Sequence, residues 1–274
     1  MIRKPIVAGR FYEADPEKLR EQIKECFVKG PGLPDNTNNK EVKGIIAPHA
    51  GFIFSGKAAA YSYKEIAESD KPDLYIVLGL SHHGFNSCTT LQDFETPLGI
   101  AKNDKEFTEA LIKNGLEENK DSHLQEHSLE VQLPFLQFVQ EDFKFCPIIV
   151  SEDYERVSST ISKILHETGR NAVIIASSDL THYGISYEYV PFTENVKENM
   201  YKQDKEAIEF IKKLDPKGFL KYINKTGATI CGKYPISCLL ELVHGKVRLL
   251  DYYTSGDILK DYSNAVGYGS IVVE

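Results

Sequence analysis

Along the chain, short apolar runs alternate with stretches in which apolar residues recur every three or four positions. Residues 42–47, 74–80, 145–150 and 172–176 form apolar runs of four to eight residues, rich in β-branched side chains, and such runs predict strands buried on both faces. Helical spacing appears at Leu19, Ile23, Cys26 and Phe27, at Ala59, Ala60, Tyr63, Ile66 and Ala67, and at Val157, Ile161, Ile164 and Leu165. A longer helix is predicted through Val196, Met200, Ala207, Ile208 and Ile211. Asp15 before Pro16 predicts the start of the first helix and Gly30 its stop; Ser55 is expected to cap the second, and Gly169 to end the third. Further helices are predicted over 107–112, over 128–139 with a kink or restart at Pro134, near 216–223, and from Pro235 onward. Residues 247–252 and 265–273 predict the last strands, with antiparallel members expected at an edge, whereas 30–40 (GPGLPDNTNNK) reads as a surface loop.

Strands buried on both faces arise when crossover helices cover a largely parallel sheet. The expected fold class is therefore α/β: one layered domain over 1–274, with a mostly parallel central sheet flanked by helices. A length of 274 residues is compatible with that size, and 42% hydrophobic with 26% charged residues excludes a disordered or collagen-like chain. The net charge of −8, with no dense basic block, argues against nucleic acid as a partner. No apolar run reaches the ~18 residues that span a bilayer. Met1-Ile2-Arg3-Lys4-Pro5 leads into a mixed segment instead of the apolar core of a secretory signal, so no membrane contact and a cytoplasmic location are expected. Five scattered cysteines, an odd number, fit reduced thiols better than a disulfide framework.

Chemistry concentrates where strands end. Ligands in open α/β sheets bind at the carboxyl ends of strands. His49 follows the first predicted strand, His82 and His83 follow the second, and Asp179 and His182 follow the run at 172–176. Successive side chains of an extended chain point to opposite sides, so His82 and His83 cannot both face one cleft. Cys231 precedes a predicted helix and has Lys233 beside it; a thiol at a helix's positive end is expected to have a lowered pKa, as thiolate ligand or nucleophile, unless it is an ordinary buried cysteine. His127, flanked by Glu126 and Glu130, is either part of a capping network or a substrate-pocket residue, and His83 is a second pocket candidate. His123, His166 and His244 read as solvated surface residues. Two imidazoles and a thiolate suit Fe(II), copper or zinc and leave coordination positions open. His182 is then the acid/base candidate, with Asp179 as its orienting partner or an alternative ligand. No P-loop, GxGxxG, HExxH or GxSxG motif is present, which weighs against nucleotide binding and the common hydrolase mechanisms.

Taken in order, Pro48-His49-Ala50-Gly51-Phe52, Ser81-His82-His83, Glu126-His127-Ser128, Ser177-Ser178-Asp179 with His182, and Thr229-Ile230-Cys231-Gly232 resemble the Memo family. Ala8-Gly9-Arg10-Phe11-Tyr12 and Ala265-Val266-Gly267-Tyr268-Gly269 extend the resemblance over essentially the whole chain. The resemblance implies a fold like that of LigB-type class III extradiol dioxygenases, which hold non-heme iron by two histidines and a carboxylate. Carried over by residue, it implies His49, His82 and Cys231 as metal ligands, with Asp179 and His182 beside them as catalytic candidates. A thiolate where the dioxygenases have glutamate sets ring cleavage apart from the implied chemistry. The family implies iron or copper as cofactor, with zinc open on donor chemistry, and redox activity on a small molecule. Its alternative is a non-catalytic module that binds a peptide in the cleft, or an AMMECR-type or radical SAM partner of the AmmeMemoRadiSam system, in which microbial members are called protein B. A zinc hydrolase is a third reading.

Overall fold

The computed structural model describes residues 2–35 and 40–274, so Met1 and part of the expected 30–40 loop lie outside the described residues. The first elements are β1 (Ile2–Arg3), α1 (Pro16–Lys29), β2 (Gly44–Ala47), α2 (Phe52–Ala67) and β3 (Leu74–Gly79). Smaller pieces follow: β4 (Cys88–Thr89), β5 (Asp93–Thr96), β6 (Gly99–Asn103), α3 (Lys105–Lys113), β7 (Glu117–Glu118), α4 (Lys120–Leu124) and α5 (Gln132–Val139). Next come β8 (Lys144–Ile149), α6 (Tyr154–Thr168), β9 (Ala172–Ser177), the short β10 (His182–Gly184), α7 (Val196–Lys212), α8 (Pro216–Thr226) and α9 (Lys233–Leu242). The remaining elements are β11 (Val247–Thr254), α10 (Ser255–Leu259) and β12 (Asn264–Val273).

Local chemistry sets most helix ends as expected. The Asp15 carboxylate accepts from the Glu17 and Lys18 amides ahead of Pro16, and Gly169 ends α6 at φ 64°, a conformation that side chains disfavour. Two expectations are corrected. Gly51, not Ser55, precedes the first turn of α2; Ser55 lies inside that turn, buried, and donates to the Ala50 carbonyl, so it caps no amide. The helix expected from 128 starts at Gln132, which puts Pro134 in its first turn, where no intrahelical bond is lost and no kink results.

The strands order as β1-β5-β6-β8-β3-β9-β2-β12-β10, with β11 on β12. β8, β3, β9 and β2 run parallel at the centre, while β12 pairs antiparallel with β2, and β11 with β12. The sheet is therefore mixed around a parallel middle. Alternation within each continuous run divides it between two cores. Ile45, Tyr75, Val77, Val173 and Ile175 pack with α1, α2 and α5, whereas Ile46, Leu74, Ile76, Leu78 and Ile174 pack with α6, α8 and α9. Because the central strands are parallel, their carboxyl ends deliver His49, His82, Ser151 and Asp179 to one edge. Among the described residues no helix is long and apolar enough to cross a membrane.

Candidate functional site

At that edge lies a cleft of about 320 Å³ lined by His49, His82, His127, Asp179 and His182, with Phe11, Phe54, Tyr187 and Tyr268 among its walls. The His49 ring is held by Ser177. The Ser177 hydroxyl donates its only proton to the Ser128 carbonyl at 2.7 Å and accepts from the Gln132 amide at 2.8 Å. Its contact with His49 Nδ1 at 2.9 Å must therefore be one in which the imidazole donates. That leaves Nε2 bare, 3.3 Å from the Cys231 sulfur. The main chain of His49 is fixed as well, its amide donating to Asp179 Oδ1 at 2.9 Å.

His82 reaches the same tautomer through a different partner. Its Nδ1 lies 2.9 Å from Glu126 Oε1, and its backbone amide donates to Glu126 Oε2 at 2.8 Å. Burial pushes the Glu126 carboxyl up, but the His82 hydrogen bonds and charge outweigh this and hold it well below the usual carboxylate range. An ionised carboxylate behind a histidine fixes the ring and strengthens the opposite nitrogen as a donor. Glu126 is carried by the segment before α5, which can lie across the end of β3 because Gly79 has no side chain: a Cβ there would sit 2.6 Å from Ser128 Oγ and 2.7 Å from Leu129 Cγ. His182 repeats the pattern, its Nδ1 facing the Leu180 and Thr229 carbonyls at 3.0 and 3.1 Å, both of which can only accept. Leu180 and Thr229, not Asp179, thus orient His182.

Cys231 comes from the connection between α8 and α9, beyond any strand end. Gly232 makes that approach possible: its amide donates to Ser178 Oγ at 3.0 Å, and a Cβ there would meet Ser178 Cβ at 2.4 Å. The Asp179 amide points at the sulfur at 3.3 Å. The lowered pKa expected for this thiol is corrected. Burial, followed by the nearby Asp179 carboxylate, raises it, and these effects outweigh the helix end. Burial raises Asp179 too. Burial and the neighbouring His82 push His49 down to about 3, and burial with His49 and His82 does the same to His127.

Donor atoms within 4.8 Å of one another form two overlapping sets among the described residues, His49/His82/His127 and His49/Asp179/Cys231. His82 and Cys231 fall in different sets, joined through His49. His127 stacks on His82 with ring centroids 4.4 Å apart and takes the edge of Phe11 at 4.9 Å, so it lines the cleft as a pocket residue. His83 does not: its Nε2 lies 3.1 Å from the Gln125 carbonyl, and in the turn after β3 it is His82, held by Glu126, that lines the cleft. His123 is no surface residue; it is buried, with neither ring nitrogen hydrogen-bonded and Phe94 at 6.2 Å. Sequence reasoning missed the parts played by Glu126, Ser177 and Gln132. The one available signal was the Glu126-His127-Ser128 triplet itself.

A family model described as Memo-like protein matches residues 3–272. A MEMO1 family protein of Methanopyrus kandleri is 39% identical over 290 residues, covering 99% of each chain. MEMO1 family proteins of Methanothermobacter thermautotrophicus and Thermotoga neapolitana are 35% and 37% identical over 287 residues, each covered in full, across 99% and 100% of this chain. The crystal structure of an uncharacterized protein from Escherichia coli K12 superposes with a TM-score of 0.54 at 10% identity, covering 85% of this chain and all of that one, a likeness of fold alone.

Proposed function

We propose that this chain, which belongs to the Memo-like protein family, holds a redox-active d-block ion, iron or copper, in the donor cluster centred on His49 Nε2, with the Cys231 sulfur on one side of it and His82, which would have to close toward the thiol, on the other, and that the cleft above it acts on a small organic molecule. The observation that carries this reading is the bare His49 Nε2 beside the Cys231 sulfur at 3.3 Å, with its other ring nitrogen committed to Ser177. Imidazole and sulfur donors suit iron, copper or zinc and suit calcium or magnesium badly. Such an ion would supply electron transfer and Lewis acidity. The chain's own residues would do the rest. Ser177 and Glu126 keep the two imidazoles oriented with Nε2 forward. His182, its Nδ1 proton held by two carbonyls, has Nε2 free to take and return a proton. Asp179, with Oδ2 3.9 Å from His49 Nε2, holds the His49 main chain and stands as a further donor. Phe11, Phe54, Tyr187 and Tyr268 narrow the cleft against water.

The test is metal titration of the full chain with Fe(II), copper and Zn(II), alongside element analysis of protein purified anaerobically without a metal-affinity step. The expected result is iron or copper in the purified protein and a tight site that is lost in His49→Ala/His82→Ala/Cys231→Ser and kept in His83→Ala. Equal binding by the wild type and the triple variant overturns the site. Zinc as the sole resident ion overturns the redox assignment, since zinc has no redox chemistry.

A further inference from the structure

A larger cavity of about 690 Å³ opens at the carboxyl ends of β3 and β8. Cys231 lines this cavity, whereas His49, His82, Asp179 and His182 line the other. The thiol therefore stands in the partition between two chambers, reached from one side by the imidazoles and from the other by whatever enters the larger space. Leu80 and Ser81, directly before His82, form the same partition.

The walls of the larger chamber define what it takes. Its cations are Arg156 and Lys233, and its acids Glu117, Glu152 and Asp153. Arg156 is committed to Asp153 at 2.5 Å and to the Gly115 carbonyl. The Lys233 ammonium sits 5.0 Å over the Tyr234 ring. Glu117 and Glu152 accept from Asn119 and Tyr234, each through one oxygen, and keep acceptor capacity open. A phosphate would meet an excess of carboxylates, and a quaternary cation would meet Lys233. The Asn86 amide has no partner among the described residues, and the Phe85 ring is 37% exposed. Carboxylate acceptors, a free amide and one open aromatic face are the chemistry that binds hydroxyls arrayed on a ring.

We infer that this cavity is a ligand chamber for a neutral polyhydroxylated molecule, the chemistry shared by a sugar and a nucleoside, and that its occupant approaches the site from the Cys231 side. Delivery to a metal rests on the function proposed above; access to the thiol does not.

The experiment measures alkylation of Cys231 by iodoacetamide in the full chain, read by mass spectrometry at one pH. The S–C bond forms as iodide leaves and the thiol proton passes to solvent. Asn86→Trp and Glu117→Trp, both at exposed positions lining the chamber, are expected to slow the reaction by about tenfold or more. Phe54→Trp, in the histidine cleft, is expected to leave it unchanged. Excess ribose or adenosine is expected to protect Cys231, while inorganic phosphate and choline are not. Protection by adenosine alone assigns the nucleoside, and protection by both assigns the sugar. Wild-type rates in both chamber variants, or equal slowing by Phe54→Trp, overturn the chamber. No protection by either sugar-bearing probe, or protection by phosphate or choline, overturns the ligand class. The labelling is done on protein stripped of metal by a chelator, so none of these outcomes depends on whether a metal binds, and failure here is distinct from failure of the metal site.

Discussion

Removing Glu130 is expected to destabilise the protein severely, and part of the damage should be recovered by removing Arg3 as well, since that takes away the uncompensated buried charge. Both side chains are fully buried and paired with each other. Glu130 also accepts from the Ile6 and Val7 amides at 3.0 to 3.1 Å and from the Tyr12 hydroxyl at 2.6 Å. The Arg3 guanidinium donates in addition to the His123 and Glu126 carbonyls at 2.8 and 2.7 Å. Glu130→Ala leaves a buried cation without its counter-charge, a change that costs about 3–5 kcal/mol in buried pairs, and it orphans three further donors. Arg3→Met/Glu130→Leu removes both charges and fills much of the space, so a coupling of about 2 kcal/mol or more in favour of the double variant is expected. Urea denaturation of wild type, Arg3→Met, Glu130→Leu and the double variant closes the cycle, with Glu130→Ala measured beside it. A loss below about 1 kcal/mol for Glu130→Ala, or additive losses in the double variant, would refute the reasoning.

Three further outcomes follow from the same geometry. Glu126→Gln should weaken metal binding by about 10- to 100-fold, because a neutral amide no longer enforces the His82 tautomer; unchanged affinity in competitive titration would remove Glu126 from the site. Burial pushes the Asp204 carboxyl up to about 6, against hydrogen bonds from Thr181 and Tyr252. The folded state then binds more protons than the unfolded one between about pH 4 and 6. Stability contributed by this group is therefore greatest at low pH and falls by about 3 kcal/mol as the pH rises through that window, relative to Asp204→Asn. Parallel urea-derived profiles for the two proteins from pH 4 to 7 would contradict this. Gly232→Ala should lower stability by about 1–3 kcal/mol through overpacking and displace Cys231, visible as altered alkylation of that thiol; a wild-type melting curve would show that the contact with Ser178 has slack.

Much of the scaffold was legible because a buried strand writes its whole length in apolar residues. The runs ending before His49, His82 and Asp179 fixed which side chains share an edge, and the pairing Asp15-Pro16 marked a helix start that the Asp15 carboxylate completes. The start of α5 was misplaced because residues 128–131 have helix-compatible composition but are drawn into a turn over Gly79. The thiol's acidity was misjudged because proximity to a helix end is visible in sequence while burial is not, and burial dominates. Spacing left His82 and His83 open and the family resemblance selected His82; the physical reason, the Glu126 carboxylate forty-four residues away, is not visible in the pattern. Isolated charged residues such as Arg3 and Glu130 carry no period, so their pairing leaves no trace in a pattern of hydrophobicity.

The Arg3–Glu130 pair joins residues 127 positions apart. At translation speeds of about 5–20 residues per second, Arg3 emerges from the ribosome roughly 6 to 25 s before Glu130 does. Through that interval the nascent amino-terminal segment has no seat, and Phe11, which touches both Phe52 and His127, cannot take its place in the cleft. A fusion partner placed ahead of residue 3 that folds quickly and holds the segment away would therefore interfere with formation of the histidine cleft more than the same partner placed after residue 274.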